Sequence, residues 1–157
     1  MKISNKISTN IPDPEIITVI SKMRNNENVW NKRLLESNGI KKAPSAEEVV
    51  EALNYSRSDE SKEFDEYAKK MSMLAFRNVI RESDRGDFWK KLGFNLNAAI
   101  HFAKAAEIAY RHGVPDWPSV LIDQAEKAYA ALESLTGSGP HGLDEKIKDI
   151  KKRIFEG

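Results

Sequence analysis

The stretch from Leu92 to Tyr110, LGFNLNAAIHFAKAAEIAY, decides the fold class of this chain. Plotted at about 100° per residue, its apolar side chains cover two faces of a helix rather than one. The first face holds Leu92, Leu96, Ala99, Ala103, Ala106 and Tyr110, and the second holds Phe94, Ala98, Ala105 and Ala109. A helix that is apolar on two faces predicts a central position with neighbours on both sides, and its alanines let those neighbours approach closely.

The segment before this stretch has the same property. A helix is predicted from about Glu60 to Ser83, with one apolar face of Phe64, Tyr67, Ala68, Met71 and Ala75 and a nearly opposite one of Met73, Phe76 and Ile80. We expect a turn at Asp84-Arg85-Gly86-Asp87 and then a second long helix to His112. The two long central helices are thus predicted at about 60–83 and 88–112. The second of them is expected to form the core with the helix that follows it, through Ala125, Ala128 and Leu132.

Shorter helices are predicted on either side of this pair. Asp13-Pro14-Glu15 combines a capping residue, a proline at the first helical position and an acid in the first turn. Further helices are expected at Glu27–Ser37, after the capping box Ser45-Ala46-Glu47-Glu48, and from Asp116-Trp117-Pro118 to about Leu135. Since no segment alternates apolar and polar residues, the chain is predicted to be all-α, as one helical bundle or as stacked helical hairpins of about seven helices.

The same reading predicts the domain organisation. Residues 1–12 are expected to be a loose N-terminal arm, and residues 13–136 the helical core domain. Residues 137–142 form a Gly/Ser/Pro linker. Residues 143–157 are predicted as a C-terminal amphipathic helix docked on the core, with Leu143, Ile147, Ile150 and Ile154 along one face.

The amino-acid composition excludes several classes of protein and of chemical site. The chain has 157 residues, with 25 basic against 24 acidic ones and a net charge of +1, which argues against a protein dedicated to coating nucleic acid. It contains no cysteine, which excludes disulfides, thiolate metal sites and a cysteine nucleophile. We find no signal-peptide pattern and no apolar run long enough to cross a membrane, so a cytoplasmic location without a membrane partner is predicted.

The segment from Ala99 to Ile108, AIHFAKAAEI, resembles the second helix of a tetratricopeptide repeat. In that family small and large apolar residues recur so that stacked hairpins can nest. The resemblance covers about one helix, and the chain lacks the internal similarity at about 34 residues that such repeats show. A tightly packed, alanine-rich hairpin would give the same string.

Acidic residues on the predicted third helix and at the start of the first long helix suggest a metal site. The segments Glu47-Glu48-Val49-Val50-Glu51 and Glu63-Phe64-Asp65-Glu66 resemble the E-E-x-x-E and E-x-x-D helices of the all-α nucleoside triphosphate pyrophosphohydrolases. The resemblance implies Mg²⁺ held by Glu48, Glu51, Glu63 and Glu66, since hard cations prefer carboxylate oxygens. The chain departs from that family with Glu66 in place of Asp, and Lys69 and Lys70 interrupt the apolar run that follows. Helix capping explains the early glutamates equally well.

A basic strip follows the acidic segment. Lys70, Arg77, Arg81 and Arg85 lie along one side of the predicted Glu60–Ser83 helix and its extension. Such a strip could bind an acidic protein surface or nucleic-acid phosphates. It could equally be the solvent-facing side of a central helix. Trp117, in the turn Val114-Pro115-Asp116-Trp117-Pro118, is a second candidate for partner binding.

These patterns favour binding over catalysis. His101, His112 and His141 share no metal-ligand spacing, and the sequence shows no phosphate loop and no catalytic nucleophile. The prediction is a non-enzymatic helical protein without a cofactor that binds another macromolecule, foremost a protein, as an adaptor, regulatory subunit or inhibitor. The alternatives are a Mg²⁺-dependent pyrophosphohydrolase and a nucleic-acid-binding protein, and a homo-oligomer is compatible with the first prediction.

Overall fold

A computed structural model describes residues 13–56, 73–114 and 116–156, and this part of the chain contains α-helices and no strand. The all-α prediction is therefore confirmed, as a bundle. The seven helices are α1 (Pro14–Arg24), α2 (Lys32–Ser37), α3 (Ala46–Ser56), α4 (Met73–Lys91), α5 (Asn95–Arg111), α6 (Trp117–Thr136) and α7 (His141–Glu156).

Helix α5 is the centre of the bundle. It packs most extensively against α6 and α4, and α7 also contacts it. Its buried residues are Ala98, Ala99, His101, Phe102, Ala103, Ala105, Ala106 and Ala109. The alanines on both faces explain how α4 and α6 can approach it closely. The central position predicted from its two apolar faces is confirmed.

The predicted helix starts rest on side-chain caps. Asp13 Oδ2 accepts the Glu15 amide at 2.9 Å, with Pro14 at the first position of α1. The capping box that opens α3 is reciprocal, because Ser45 Oγ accepts the Glu48 amide at 3.1 Å and Glu48 accepts the Ser45 amide at 2.8 Å. Helix α2 begins later than predicted, at Lys32, because Asn31 caps it through the Leu34 amide.

The turn predicted at residues 84–87 is absent, because α4 continues through it to Lys91. Gly86 serves close packing rather than a turn, since a Cβ there would lie 2.7 Å from the Phe102 ring of α5. The chain turns instead at Leu92–Phe94, where Gly93 has a φ of +86°. The first long helix was predicted to begin near residue 60. Residues 60–72 lie outside the described residues, and the described part of this helix, α4, begins at Met73.

Asn38, which follows α2, connects that helix to the start of α5 by hydrogen bonds. Its side chain is fully buried and its Oδ1 accepts the backbone amides of Leu96 and Asn97 at 2.8 and 3.2 Å. Its Nδ2 donates to the Leu34 carbonyl and to Asn97 Oδ1. Because Phe94 offers α5 no side-chain cap, a residue remote in sequence satisfies two amides of the first turn.

The C-terminal helix α7 docks on its own bundle. It contacts α6 and α5, and Ile147 and Ile150 are buried in the core cluster while Leu143 and Ile154 pack against that cluster. The helix begins at His141, inside the predicted linker. Among the described helices, none combines the length and apolar character needed to span a membrane.

Candidate functional site

Five charged side chains meet where α1, α4 and α5 converge, and we call them the ionic cluster. They are Asp13 and Glu15 at the start of α1, Glu82 and Arg85 on α4, and His101 on α5. Glu82 and His101 are buried, with 8% and 7% of their surface exposed. Burying charges is costly unless they are paired, so the geometry of their contacts determines what the cluster can do.

His101 lies between two carboxylates. Its Nδ1 is 2.6 Å from Glu82 Oε1, and its Nε2 is 3.2 Å from Glu15 Oε2. Burial alone would lower the pKa of His101, but hydrogen bonds and attraction to Glu15 and Glu82 outweigh it and raise that pKa. An imidazolium, which donates from both nitrogens, is the form that satisfies both carboxylates.

Glu15 is held ionised by its neighbours. Burial opposes the charge, yet hydrogen bonds from His101 and from the Trp89 indole, whose Nε1 lies 2.7 Å from Oε2, lower the pKa of Glu15 from 4.5 to about 2. The pKa of Glu82 is also lowered, because the hydrogen bond from His101 and the charges of His101 and Arg85 outweigh its burial. Both carboxylates thus carry full negative charge near neutral pH.

Arg85 provides the second positive charge of the ionic cluster and contacts its three carboxylates. Its Nε lies 2.7 Å from Asp13 Oδ2, and its Nη1 lies 3.7 Å from Glu15 and 3.5 Å from Glu82. The other oxygen of Asp13, Oδ1, is buried and has no hydrogen-bond partner among the described residues. Arg85 therefore neutralises the start of α1 and links it to α4.

The ionic cluster is built to hold helices rather than to transfer protons. With both nitrogens of His101 engaged, its imidazolium has no lone pair with which to act as a general base. The ring is also shielded from solvent, so a substrate cannot reach it without displacing a carboxylate. The cluster joins α1, α4 and α5 through charged hydrogen bonds.

The outer side of α4 carries a second feature, which we call the basic stripe: Leu74, Arg77, Asn78 and Arg81, spaced i, i+3, i+4 and i+7. Leu74 is 70% exposed, both arginines are exposed, and Arg81 donates a hydrogen bond to Asn78 Oδ1. Neither arginine forms an ion pair with a described residue. Leu74 thus lies exposed beside two exposed arginines, a residue type that is enriched at protein interfaces.

The outer side of α3 carries the opposite charge at the same spacing. This acidic stripe consists of Glu47, Val50, Glu51 and Asn54, all exposed. Val50 is 51% exposed although it is apolar. Helix α3 packs against α4 with its other side, where Val49 and Ala52 belong to the core.

The structure describes two of the four predicted metal ligands, Glu48 and Glu51. Glu48 is the partner of Ser45 in the capping box, whose backbone hydrogen bond lowers the pKa of Glu48. Glu51 points to solvent in the acidic stripe. Glu63 and Glu66 lie outside the described residues. Within the ranges described, no group of three or more acidic or histidine side chains has the arrangement of a metal site.

The predicted partner-binding residues lie in three different environments. Arg77 and Arg81 are exposed on the basic stripe, whereas Arg85 belongs to the ionic cluster. Trp117 starts α6 and is only 6% exposed, packed in the core cluster. Lys70 lies outside the described residues. The contiguous exposed part of the predicted basic strip is therefore Arg77 and Arg81, to which the structure adds Leu74.

A shallow cavity of about 370 Å³ lies beside the end of α7. Ile154 and Phe155 line it together with Tyr110 of α5 and Asp116 and Pro118 at the start of α6. Asp116 has a φ of +69°, an unusual value for a non-glycine residue. Because Asp116 is the one charged residue in its described lining, this cavity presents no constellation of catalytic groups.

Sequence reasoning missed the ionic cluster. Asp13 and Glu15 were explained as helix-start residues, and His101 was one of three histidines without a recognisable pattern. The available signal was the position of His101 within an alanine-rich helix that is apolar on two faces, where a polar side chain requires a partner. The identity of that partner depends on how α4 packs, which the local pattern does not contain.

Comparisons with known proteins give no relative for this chain: no protein-family model, no curated protein and no solved structure matches it.

Proposed function

We propose that this chain is a non-enzymatic helical protein that binds another protein through the basic stripe of α4, as an adaptor, regulatory subunit or inhibitor does. The observation that carries the proposal is the exposed surface of Leu74, Arg77 and Arg81 on a helix whose opposite side is core. A cytoplasmic location, in keeping with a chain that contains no cysteine, is part of the same proposal.

The mixed chemistry of the stripe favours a protein partner over nucleic acid. Arginine is enriched at protein interfaces, and a large apolar side chain gains free energy only when a partner removes it from water. Leu74 would contribute nothing to a contact with phosphates, which are bound by charge and by hydrogen-bond donors. A protein surface with carboxylates around an apolar residue would satisfy all three side chains.

Affinity capture with matched variants tests this proposal. The tagged chain is compared with Arg77→Glu/Arg81→Glu and with the control Lys32→Glu/Arg33→Glu, which reverses two exposed charges on α2. We expect a protein to be captured by the wild type and by the control and to be lost with the α4 variant. If every captured protein binds all three forms equally, the proposal is wrong. Capture that disappears on nuclease treatment would replace it with nucleic-acid binding.

A further inference from the structure

We propose that the partner of the basic stripe is a second copy of this chain, which presents its acidic stripe. In the dimer the α4 stripe of each protomer packs on the α3 stripe of the other. This inference rests on the proposed function, since it identifies the partner of the same surface. The argument begins with the matching geometry of the two stripes.

The stripes have the same length and the same spacing. Each occupies positions i, i+3, i+4 and i+7 of an α-helix, which covers two turns and about 10 Å of helix axis. Each also combines an exposed apolar residue with two charged ones, Leu74 on the basic side and Val50 on the acidic side. Two such surfaces can pair along their whole length.

The order of residues selects one relative direction. When the stripes run antiparallel, Glu47 lies opposite Arg81, and Glu51 lies opposite Arg77. When they run parallel, Val50 lies opposite Arg77, and Glu47 lies opposite Leu74. The antiparallel register therefore pairs both arginines with carboxylates. The parallel register pairs neither arginine with a carboxylate, because Arg81 then lies opposite Asn54 and Glu51 lies opposite Asn78.

No described residue of the same protomer forms an ion pair with the charged side chains of either stripe. Although α3 packs against α4, their contact uses the inner sides of the helices, and no ion pair joins the stripes within the described part of the chain. Val50 and Leu74 also stay exposed. An association with a second copy would bury both apolar side chains and pair the four charges.

Because both stripes belong to the same chain and lie on helices that contact each other, we propose that the contact is made twice about a two-fold axis. In an isologous dimer each α3–α4 contact occurs twice, so the two charge pairs of one contact become four in the assembly. A single surface ion pair contributes little to the free energy of association. The repetition of the pairs and the burial of the apolar side chains supply the remainder of that free energy. A contact of this kind is expected to weaken as the salt concentration rises.

Sedimentation equilibrium of the full chain tests the inference. We expect the wild type to dimerise at low salt and the dimer to weaken in high salt. Both Glu47→Lys/Glu51→Lys and Arg77→Glu/Arg81→Glu should raise the dissociation constant about tenfold or more, because attraction becomes repulsion at each pair. All four positions are exposed, and a thermal melt verifies that each variant is folded.

Mixing the two variants provides the decisive measurement. The first variant has two basic stripes and the second has two acidic stripes, so each self-associates poorly but complements the other at both contacts. We expect an equimolar mixture to recover the wild-type dissociation constant. A mixture that stays monomeric while both variants are folded would overturn the register.

Two other results would also overturn the inference. One is a wild type that is monomeric at every concentration tested, and the other is a dimer that neither charge reversal weakens. The proposed function is judged separately, because stripe-dependent capture of a different protein would support it even if the wild type is monomeric. Its own failure would be an absence of any stripe-dependent protein partner, including a second copy.

Discussion

Nδ1 of His101 lies 2.6 Å from Oε1 of Glu82, and this contact joins α4 to α5, the central helix of the bundle. The opposite nitrogen of the same ring faces Glu15 at the start of α1. One imidazolium thus ties three helices together through charged hydrogen bonds. Since these bonds require a protonated ring and ionised carboxylates, the stability of the fold should depend on pH in a defined way.

His101→Gln should destabilise the protein most in mildly acidic solution. The folded pKa of His101 is raised above 6.5, so its contribution is complete below that pH and is lost as the pH rises through the folded pKa. Around pH 5.5 we expect the substitution to lower the free energy of unfolding by about 2–4 kcal/mol, and by less near pH 9. Urea unfolding of both proteins across this range measures the difference.

The carboxylates of Glu15 and Glu82 set the lower limit of the pH range in which the ionic cluster stabilises the fold. The pKa of Glu15 is lowered from 4.5 to about 2, so its stabilising contribution is complete above 4.5 and is lost as the pH falls towards 2. Glu82 shifts in the same direction. The exposed His112 provides a control for the substitution itself, and His112→Gln should change the free energy of unfolding by less than about 0.5 kcal/mol. A loss for His101→Gln that is equal at pH 5.5 and pH 9 would contradict the charged form of the ring.

Arg85 and Arg81 lie on the same helix but should respond differently to substitution. Arg85→Gln leaves the buried carboxylate of Asp13 without its counter-charge, so a loss of about 3 kcal/mol in the free energy of unfolding is expected. Arg81→Gln changes an exposed side chain, and its effect should stay within about 0.5 kcal/mol. Denaturant unfolding of the two variants makes the comparison, and similar losses for both would contradict the assignment of Arg85 to the ionic cluster.

The features that local patterns predicted are those that depend on neighbours in sequence. The two-faced apolar stretch around Ala99 to Tyr110 placed α5 at the centre, and Ser45 with Glu48 placed the start of α3. The caps are hydrogen bonds over three residues, so the sequence contains both partners.

The features that were missed depend on packing between distant residues. The glycine in Asp84-Arg85-Gly86-Asp87 predicted a turn, but in the structure it lets α4 approach Phe102 of α5. Glycine is favoured both in turns and at close contacts between helices, and only the position of the neighbouring helix shows which of the two applies. Arg85 was likewise assigned to an exposed strip, because its contact with Asp13 spans 72 residues.

Asn38 should be far more sensitive to truncation than an exposed asparagine. Asn38→Ala leaves the amides of Leu96 and Asn97 without their acceptor, and we expect a loss of about 3 kcal/mol because these groups lie at a buried helix start. Asn54→Ala, on the exposed side of α3, should change stability by less than about 0.5 kcal/mol. Thermal melts of the two variants test this, and hydrogen exchange at the Leu96 amide should accelerate only in the first.

Gly86 and Gly142 both lie in helices, yet alanine should affect them in opposite directions. Alanine normally stabilises a helix interior relative to glycine by about 0.5–1 kcal/mol. Gly142 is the second residue of α7, where a Cβ would meet nothing within 4 Å, so Gly142→Ala should gain up to about 0.5 kcal/mol. At Gly86 a Cβ would overlap the Phe102 ring at 2.7 Å, so Gly86→Ala should lose about 1–3 kcal/mol.

A second substitution separates this overlap from a backbone effect at Gly86. Phe102→Leu replaces the ring that the new Cβ would meet with a smaller, branched side chain, at its own cost in lost packing. We therefore expect Gly86→Ala to be less damaging in the Phe102→Leu background than in the wild type, with a coupling free energy of about 1 kcal/mol. A double-mutant cycle by urea unfolding measures that coupling. Additive losses would show that the ring does not limit the approach of α4 to α5.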